Sequence, residues 1–262
     1  MSYKSDLVKF EGYLRDRVSP NTVRVYMYAL RRWFQSLDGG GISQEAAQTY
    51  IDGLMKAGKS ASTASLRAHA IMRFFRWKGK LIILDCPTIR IGEIKYLVIE
   101  EIEKLLAMCE TALEETLVTV LFDTAVRISE LLNLELDDID WKRGLISVMR
   151  KGGRKEEVNI SEKALTILAE WLEVRESESK RVFMDISYFD AWVILRALGR
   201  RADIKVNPHI FRHSRAVHML MNGADIRTVK DHLGHRNVAT TINIYGRFMA
   251  IHLRIISSTG RN

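Results

Sequence analysis

Apolar residues recur three and four positions apart through the first third of the chain, the spacing that lines one face of a helix. In SDLVKFEGYLRDR the stripe is Leu7, Phe10 and Leu14. In SPNTVRVYMYALRRWFQSL it is Val23, Met27, Leu30 and Phe34, behind Pro20, a residue suited to the first turn of a helix. Gly39, Gly40 and Gly41 end that segment. SQEAAQTYIDGLMKAG opens on a capping serine and stops at Gly58. SASTASLRAHAIMRFFRWKG has a Ser/Thr-rich entrance, then Leu66, Ala70, Phe74 and Trp77 on one side. The pattern predicts a bundle of four short helices over residues 1–85. Trp33, Phe74, Phe75 and Trp77 are read as its core in preference to platforms for stacked bases.

The stretch LDCPTIRIGEIKYL contains Pro87 and no helical period, which predicts a linker over residues 86–95. Helical spacing resumes in VIEEIEKLLAMCETALEETLVTVLFDTAVRISELLNL. The period then changes to two in GLISVMRKGGRKEEVNI, on both sides of a Gly-Gly turn, the signature of a β-hairpin. Further helical segments follow, and Trp171 and Trp192 are placed in their core. The expectation is a mainly α chain of two domains. A helical bundle precedes a mostly helical domain, residues 96–262, that carries one small antiparallel sheet.

Charge sharpens this division. Residues 1–88 hold 14 Lys/Arg against 7 Asp/Glu, whereas the remainder holds 26 against 25. A basic first third suits a segment that grips nucleic acid, although a solvated basic surface gives the same count. Arg24, Arg31, Arg67, Arg73, Arg76 and Lys78, with Arg32 and Lys80, occupy polar helix faces and are the candidate DNA-phosphate contacts. No apolar run approaches the ~20 residues that cross a bilayer, and the charged N-terminus lacks the apolar core of a signal peptide. A cytoplasmic protein without a membrane partner is expected. Cys86 and Cys109 lack C-x-x-C spacing and read as free thiols.

Six of the seven histidines fall between His209 and His252, and NPHIFRHSRAVHML holds three of them with two arginines. His209 and His213 have the four-residue spacing of a helical zinc pair, and His232 with His235 offers another. No H-E-x-x-H occurs, however, and the fixed charge of Arg212 would repel a cation. A phosphate fits better. His209 and Arg212 share a helical face, and Pro208 marks a helix start whose N–H groups and dipole favour an anion. Arg127 offers a second guanidinium, with Glu130 one turn away to orient it. Singly, each of these pairs is more often a surface salt bridge than a catalytic unit.

Together, TAVRISELLNL, the lysine of RKGGRKEE, HIFRH, LGH and the tyrosine of HRNVATTINIY resemble the tyrosine recombinase (phage integrase) family, closest to its Xer branch. The likeness spans nearly the whole chain. It implies a SAM-like, four-helix core-binding bundle followed by the catalytic fold of that family. By the resemblance, Arg127, Lys151, His209, Arg212, His235 and Tyr245 are catalytic and Glu130 supports them. Tyr245 is the nucleophile, Lys151 protonates the departing 5′-oxygen, and His209 aids deprotonation of the phenol. The implied activity is metal- and ATP-independent site-specific recombination of double-stranded DNA through a 3′-phosphotyrosyl bond, with no cofactor. Resolution of chromosome or plasmid dimers is favoured by the absence of an added N-terminal domain. A viral or mobile-element integrase, a type IB-like topoisomerase, an inactive DNA-binding module and a metal-dependent nuclease are the alternatives. A homotetramer on two DNA sites is also implied, joined through the apolar C-terminal segment 247–257.

Two departures from the family pattern stand out. Ala125-Val126 occupies a position where Gly-Leu is commoner, which reads as a small change in packing. Tyr245 follows His235 by ten residues instead of nine. One added residue turns a helix by about 100°, so the tyrosine segment must differ locally.

Overall fold

The computed structural model describes residues 3–89, 94–150, 153–246 and 248. Contacts divide the chain into two units, Met1–Gly92 and Glu93–Asn262. The first holds α1 (Tyr3–Arg15), α2 (Pro20–Ser36), α3 (Gln44–Lys56) and α4 (Ala61–Trp77). Three of these begin the same way. Ser19, Ser43 and Ser60 each accept a hydrogen bond from a backbone N–H three residues on, at Thr22, Ala46 and Thr63. Each cap satisfies a donor that the helix cannot, and is worth about 1 kcal/mol.

The stripes meet in an aromatic core. Phe10, Trp33 and Phe74 are fully buried, and Phe10 packs edge-on to Phe74 with ring centroids 5.3 Å apart. Burial of each such ring contributes about 1.5–3 kcal/mol. Along α4 the buried line is Ala64, Ala68, Ile71, Phe74 and Phe75, so Leu66, expected inside, is 42% exposed. The small alanines let α4 approach its neighbours closely, which turns the bulkier Leu66 outward. After α4 the chain runs back along α3, where the side chain of Gln48 accepts from the N–H of Asp85 at 2.8 Å. Ile82 and Cys86 pack on the core there.

The second unit is built around α6 (Ala112–Thr124), which is buried on nearly every side by α5 (Ile99–Ala107), α8 (Glu162–Val174), α9 (Tyr188–Arg201) and α10 (Pro208–Met221). Between α6 and α8 lie α7 (Ile128–Leu131) and a three-stranded antiparallel sheet of order β1-β2-β3. Its strands are β1 (Ile139–Asp140), β2 (Leu145–Arg150) and β3 (Arg154–Asn159). In β2, Ile146, Val148 and Arg150 face the core, as the period of two requires. α11 (Ile226–Leu233) and a further helix, α12, over 238–246 follow.

Two expectations change here. Trp171 packs on the core, and its indole N–H donates to the carbonyl of Val182. Trp192 does not join the core. It is half-buried, stacks on exposed Phe189 and carries the Arg196 guanidinium over its ring. Ala125 is also more than a packing change. It ends α6 in the left-handed region, at φ 52°, a conformation costing an L-residue about 1–2 kcal/mol.

Candidate active site

Arg127 is the N-cap of α7, and Glu130 closes the turn beneath it. The carboxylate accepts from the Arg127 backbone N–H at 2.8 Å and from its guanidinium at 2.6 Å. This is the orientation expected of an acid one turn after an arginine. Glu130 also accepts at 2.6 Å from Nη1 of Arg150, and both of these side chains are 5% exposed. Arg150 was not foreseen from the sequence. It looks like the polar end of an alternating strand, and only folding shows that it points inward.

The start of α10 also differs in detail from expectation. Asn207 caps it, its side-chain oxygen accepting from the N–H groups of His209 and Ile210. Two of the donors expected to face an anion are therefore already occupied. Arg212, one turn in, is 6% exposed. It donates to the carbonyl of Ala125 and to that of Leu233, each at 2.5 Å. The arginine thus ties the end of α6 to the end of α11. Burial, then the charges of Arg127 and Arg150, lower its pKa to about 10, which leaves it cationic at neutral pH. Burial, then Arg212 and Arg127, also hold His209 below the usual imidazole range.

Gly234 ends α11 at φ 62°, and His235 follows. Nδ1 of His235 lies 2.8 Å from the hydroxyl of buried Thr241. Burial, then Arg212, Arg127 and Arg150, depress its pKa to about 4, so the ring is neutral at physiological pH. Tyr245 lies one turn beyond Thr241 on the same face of α12, and it is 1% exposed. In this chain a helix over 238–246 follows His235 and turns the tyrosine into the protein.

The hydroxyl of Tyr245 rests 2.8 Å from Nδ1 of His213, a residue that the resemblance gives no catalytic role. Burial is the main reason its pKa rises to about 12, with Arg212 opposing. Burial, His209 and Arg212 all lower that of His213. The pair is neutral, and the imidazole tautomer sets which partner donates. The contact joins residues 32 apart, so no local spacing signals it.

Lys151 and most of segment 247–257 lie outside the described residues, as does His252. Phe248 is described, and its ring packs edge-on to Tyr96 of its own unit. His218 bonds the carbonyl of Leu97, a structural role. In the first unit Arg24 and Arg31 line one hollow of about 430 Å³, and Arg73 and Arg76 line another of about 300 Å³. Arg67 donates to the Tyr50 hydroxyl at 2.5 Å and Lys78 pairs with Asp6 at 2.9 Å, so both are already partnered.

Residues 95–250 match the Phage integrase family, and residues 7–80 match the Phage integrase, N-terminal SAM-like domain. The tyrosine recombinase XerA of Thermococcus onnurineus is 34% identical over 94% of this chain and 92% of its own. The tyrosine recombinase XerD of Listeria monocytogenes is 28% identical over 90% and 91%. A crystal structure of XerA recombinase superposes with a TM-score of 0.58 at 25% identity, covering 98% of this chain and 99% of that one. A XerH recombinase bound to palindromic difH substrate gives 0.76 at 18% identity, covering 90% and 79%.

Proposed function

This chain belongs to the phage integrase family of tyrosine recombinases, and from that premise we propose a Xer-type role for it, the resolution of chromosome or plasmid dimers at one DNA site. The observation that carries the reading is the convergence of Arg127, His209 and His235 on Arg212, which bridges the carbonyls of Ala125 and Leu233, with Tyr245 beside it. Apart from the pairs fixed by local spacing, these residues meet only through tertiary contacts.

The chemistry follows from the groups present. Arg127 and Arg212 take the non-bridging oxygens of the scissile phosphate and stabilise the charge that develops there. When the Thr241 hydroxyl donates to Nδ1 of His235, Nε2 keeps its hydrogen and donates to a phosphoryl oxygen. The phenol of Tyr245 attacks phosphorus and the bond to the 5′-oxygen breaks. Lys151 supplies a proton to that oxygen, and neutral His209 takes the proton of the phenol. The resulting 3′-phosphotyrosyl bond conserves the phosphodiester, so rejoining needs no ATP. Tyr245 is too buried to meet DNA where it rests, so substrate engagement includes its release from His213.

The proposed partners are double-stranded DNA and three further copies of the chain, assembled as a tetramer on two sites through segment 247–257. Among the described residues no helix is long and apolar enough to cross a membrane, and a cytoplasmic location is part of this proposal. A nicked suicide substrate in EDTA tests the reading. A covalent protein–DNA adduct is expected without added metal. Binding with no adduct would mean an inactive module, and cleavage only on addition of metal would mean a nuclease. Cleavage and resealing without strand exchange would mean a topoisomerase.

A further inference from the structure

Arg150 is a charged side chain in a core position. Its neighbours on the inward face of β2, Ile146 and Val148, are 0% and 1% exposed, and Arg150 itself is 5% exposed. A guanidinium held there must be compensated or the fold would select an apolar residue. Two carboxylates provide the compensation. Nη1 donates to Glu130 at 2.6 Å, and Nε donates to Glu156, on the facing strand, at 3.1 Å. Nη2 is buried with no partner among the described residues. A pair serving stability alone would satisfy all of its donors or be replaced by hydrocarbon, so this arrangement asks for another reason.

The third side of the guanidinium supplies one. A Cβ placed on Gly234 would fall 2.6 Å from Nε, 2.8 Å from Cζ and 2.9 Å from Nη2 of Arg150. The guanidinium therefore lies against bare backbone at the turn that presents His235. The same group touches the carboxylate that orients Arg127. The turn that opens α7, the end of β2 and the turn after α11 are thus joined at one side chain.

We propose that Arg150 is a positioning residue for strand cleavage. It keeps the Glu130 carboxylate aimed at Arg127, with the Gly234 turn packed behind its guanidinium as a backstop, and does not itself touch DNA. The proposal rests on the recombinase reading of Arg127 and His235 given above. It also accounts for a carboxylate shared between two arginines. Glu130 holds the half-buried one, Arg127, only while the fully buried one holds Glu130.

The test uses the full chain and single-turnover adduct formation on a nicked suicide substrate. Arg150→Met keeps length and removes the fork; Arg150→Lys keeps charge and removes the fork. A misplaced catalytic group loses on the order of 100-fold in rate, and that loss is expected for Arg150→Met, with DNA binding unchanged. Because Arg150 acts through Arg127, the double variant Arg127→Ala/Arg150→Met is expected to be no slower than Arg127→Ala within about threefold. A methylphosphonate at the scissile position, which lacks the charge that Arg127 neutralises, is expected to rescue Arg127→Ala and Arg150→Met together.

Multiplicative losses in the double variant, or a defect that the uncharged substrate leaves untouched, would overturn the proposal and leave Arg150 a structural ion pair. If Arg150→Met does not fold, Arg150→Lys in the same cycle decides, since it must also be coupled to Arg127. A wild-type protein that forms no adduct sinks the recombinase reading itself. Wild-type adduct beside a full-rate Arg150→Met sinks only this inference.

Discussion

Gly234→Ala places a methyl group where the structure has no room for one. Two costs can be separated. The residue sits at φ 62°, and an alanine there loses about 1–2 kcal/mol from backbone strain alone. The new Cβ also lies 2.6–2.9 Å from three guanidinium atoms of Arg150, where ordinary contact begins near 3.4 Å. That guanidinium cannot simply swing aside, because Glu130 and Glu156 hold it. Overpacking of this kind costs a further 1–3 kcal/mol or so, for a total of about 2–5 kcal/mol. Gly223→Ala is the internal control. It has φ 82° and nothing within 4 Å of the added Cβ, so it bears the backbone cost alone. Urea denaturation of both variants, extrapolated linearly, isolates the clash as the difference, expected at about 1–3 kcal/mol. In an Arg150→Met background the difference should shrink toward zero, because the thioether bends away. Equal destabilisation of the two glycine variants in the wild-type background would refute the packing of Arg150 on this turn.

Tyr245→Phe is expected to bind DNA as the wild type does and to form no covalent adduct on a suicide substrate; a persisting adduct would place the nucleophile elsewhere. It also strips His213 of its partner, so a stability loss of about 1 kcal/mol should accompany it. Burial lowers the pKa of His232 to about 4, and that of His235 is similarly depressed. Because their folded pKa values lie below the unfolded value of about 6.5, their contribution is complete above that pH and is lost as pH falls toward 4. For His232 this is about 1–2 kcal/mol after screening by solvent, and His232→Gln should flatten the decline in urea midpoint between pH 6.5 and 4. A wild-type midpoint that stays level across that window would contradict the burial of both rings. Residues 1–88 alone are expected to bind DNA weakly, with affinity falling steeply as salt rises, because each phosphate contact releases counterions. A fragment that does not bind at low salt would reduce the basic bundle to a solvated surface.

What the sequence determined by itself is whatever depends on neighbours along the chain. A helix is closed by bonds between residues four apart, so the apolar stripes of α1 and α2, Pro20 and the capping Ser43 announced the bundle. Alternation about Gly152 and Gly153 announced the hairpin for the same reason. The pairing of Arg127 with Glu130 was legible too, since residues three apart on a helical turn face one another. Tertiary structure decided the rest, because burial depends on what arrives from distant sequence. Arg150 at the end of an alternating strand reads as a polar terminus until α7 and the α11 turn close over it. The strain at Ala125 follows from how α6 must end to let its carbonyl receive Arg212. Leu66 and Trp192 show the converse. Each is apolar enough for a core, but α4 packs through its alanines, and Trp192 shares a groove with Arg196 and Lys205. The contact of Tyr245 with His213 needed both kinds of information. The sequence fixes the helical step between Thr241 and Tyr245, and only the packing of α12 on α10 decides which imidazole the phenol meets.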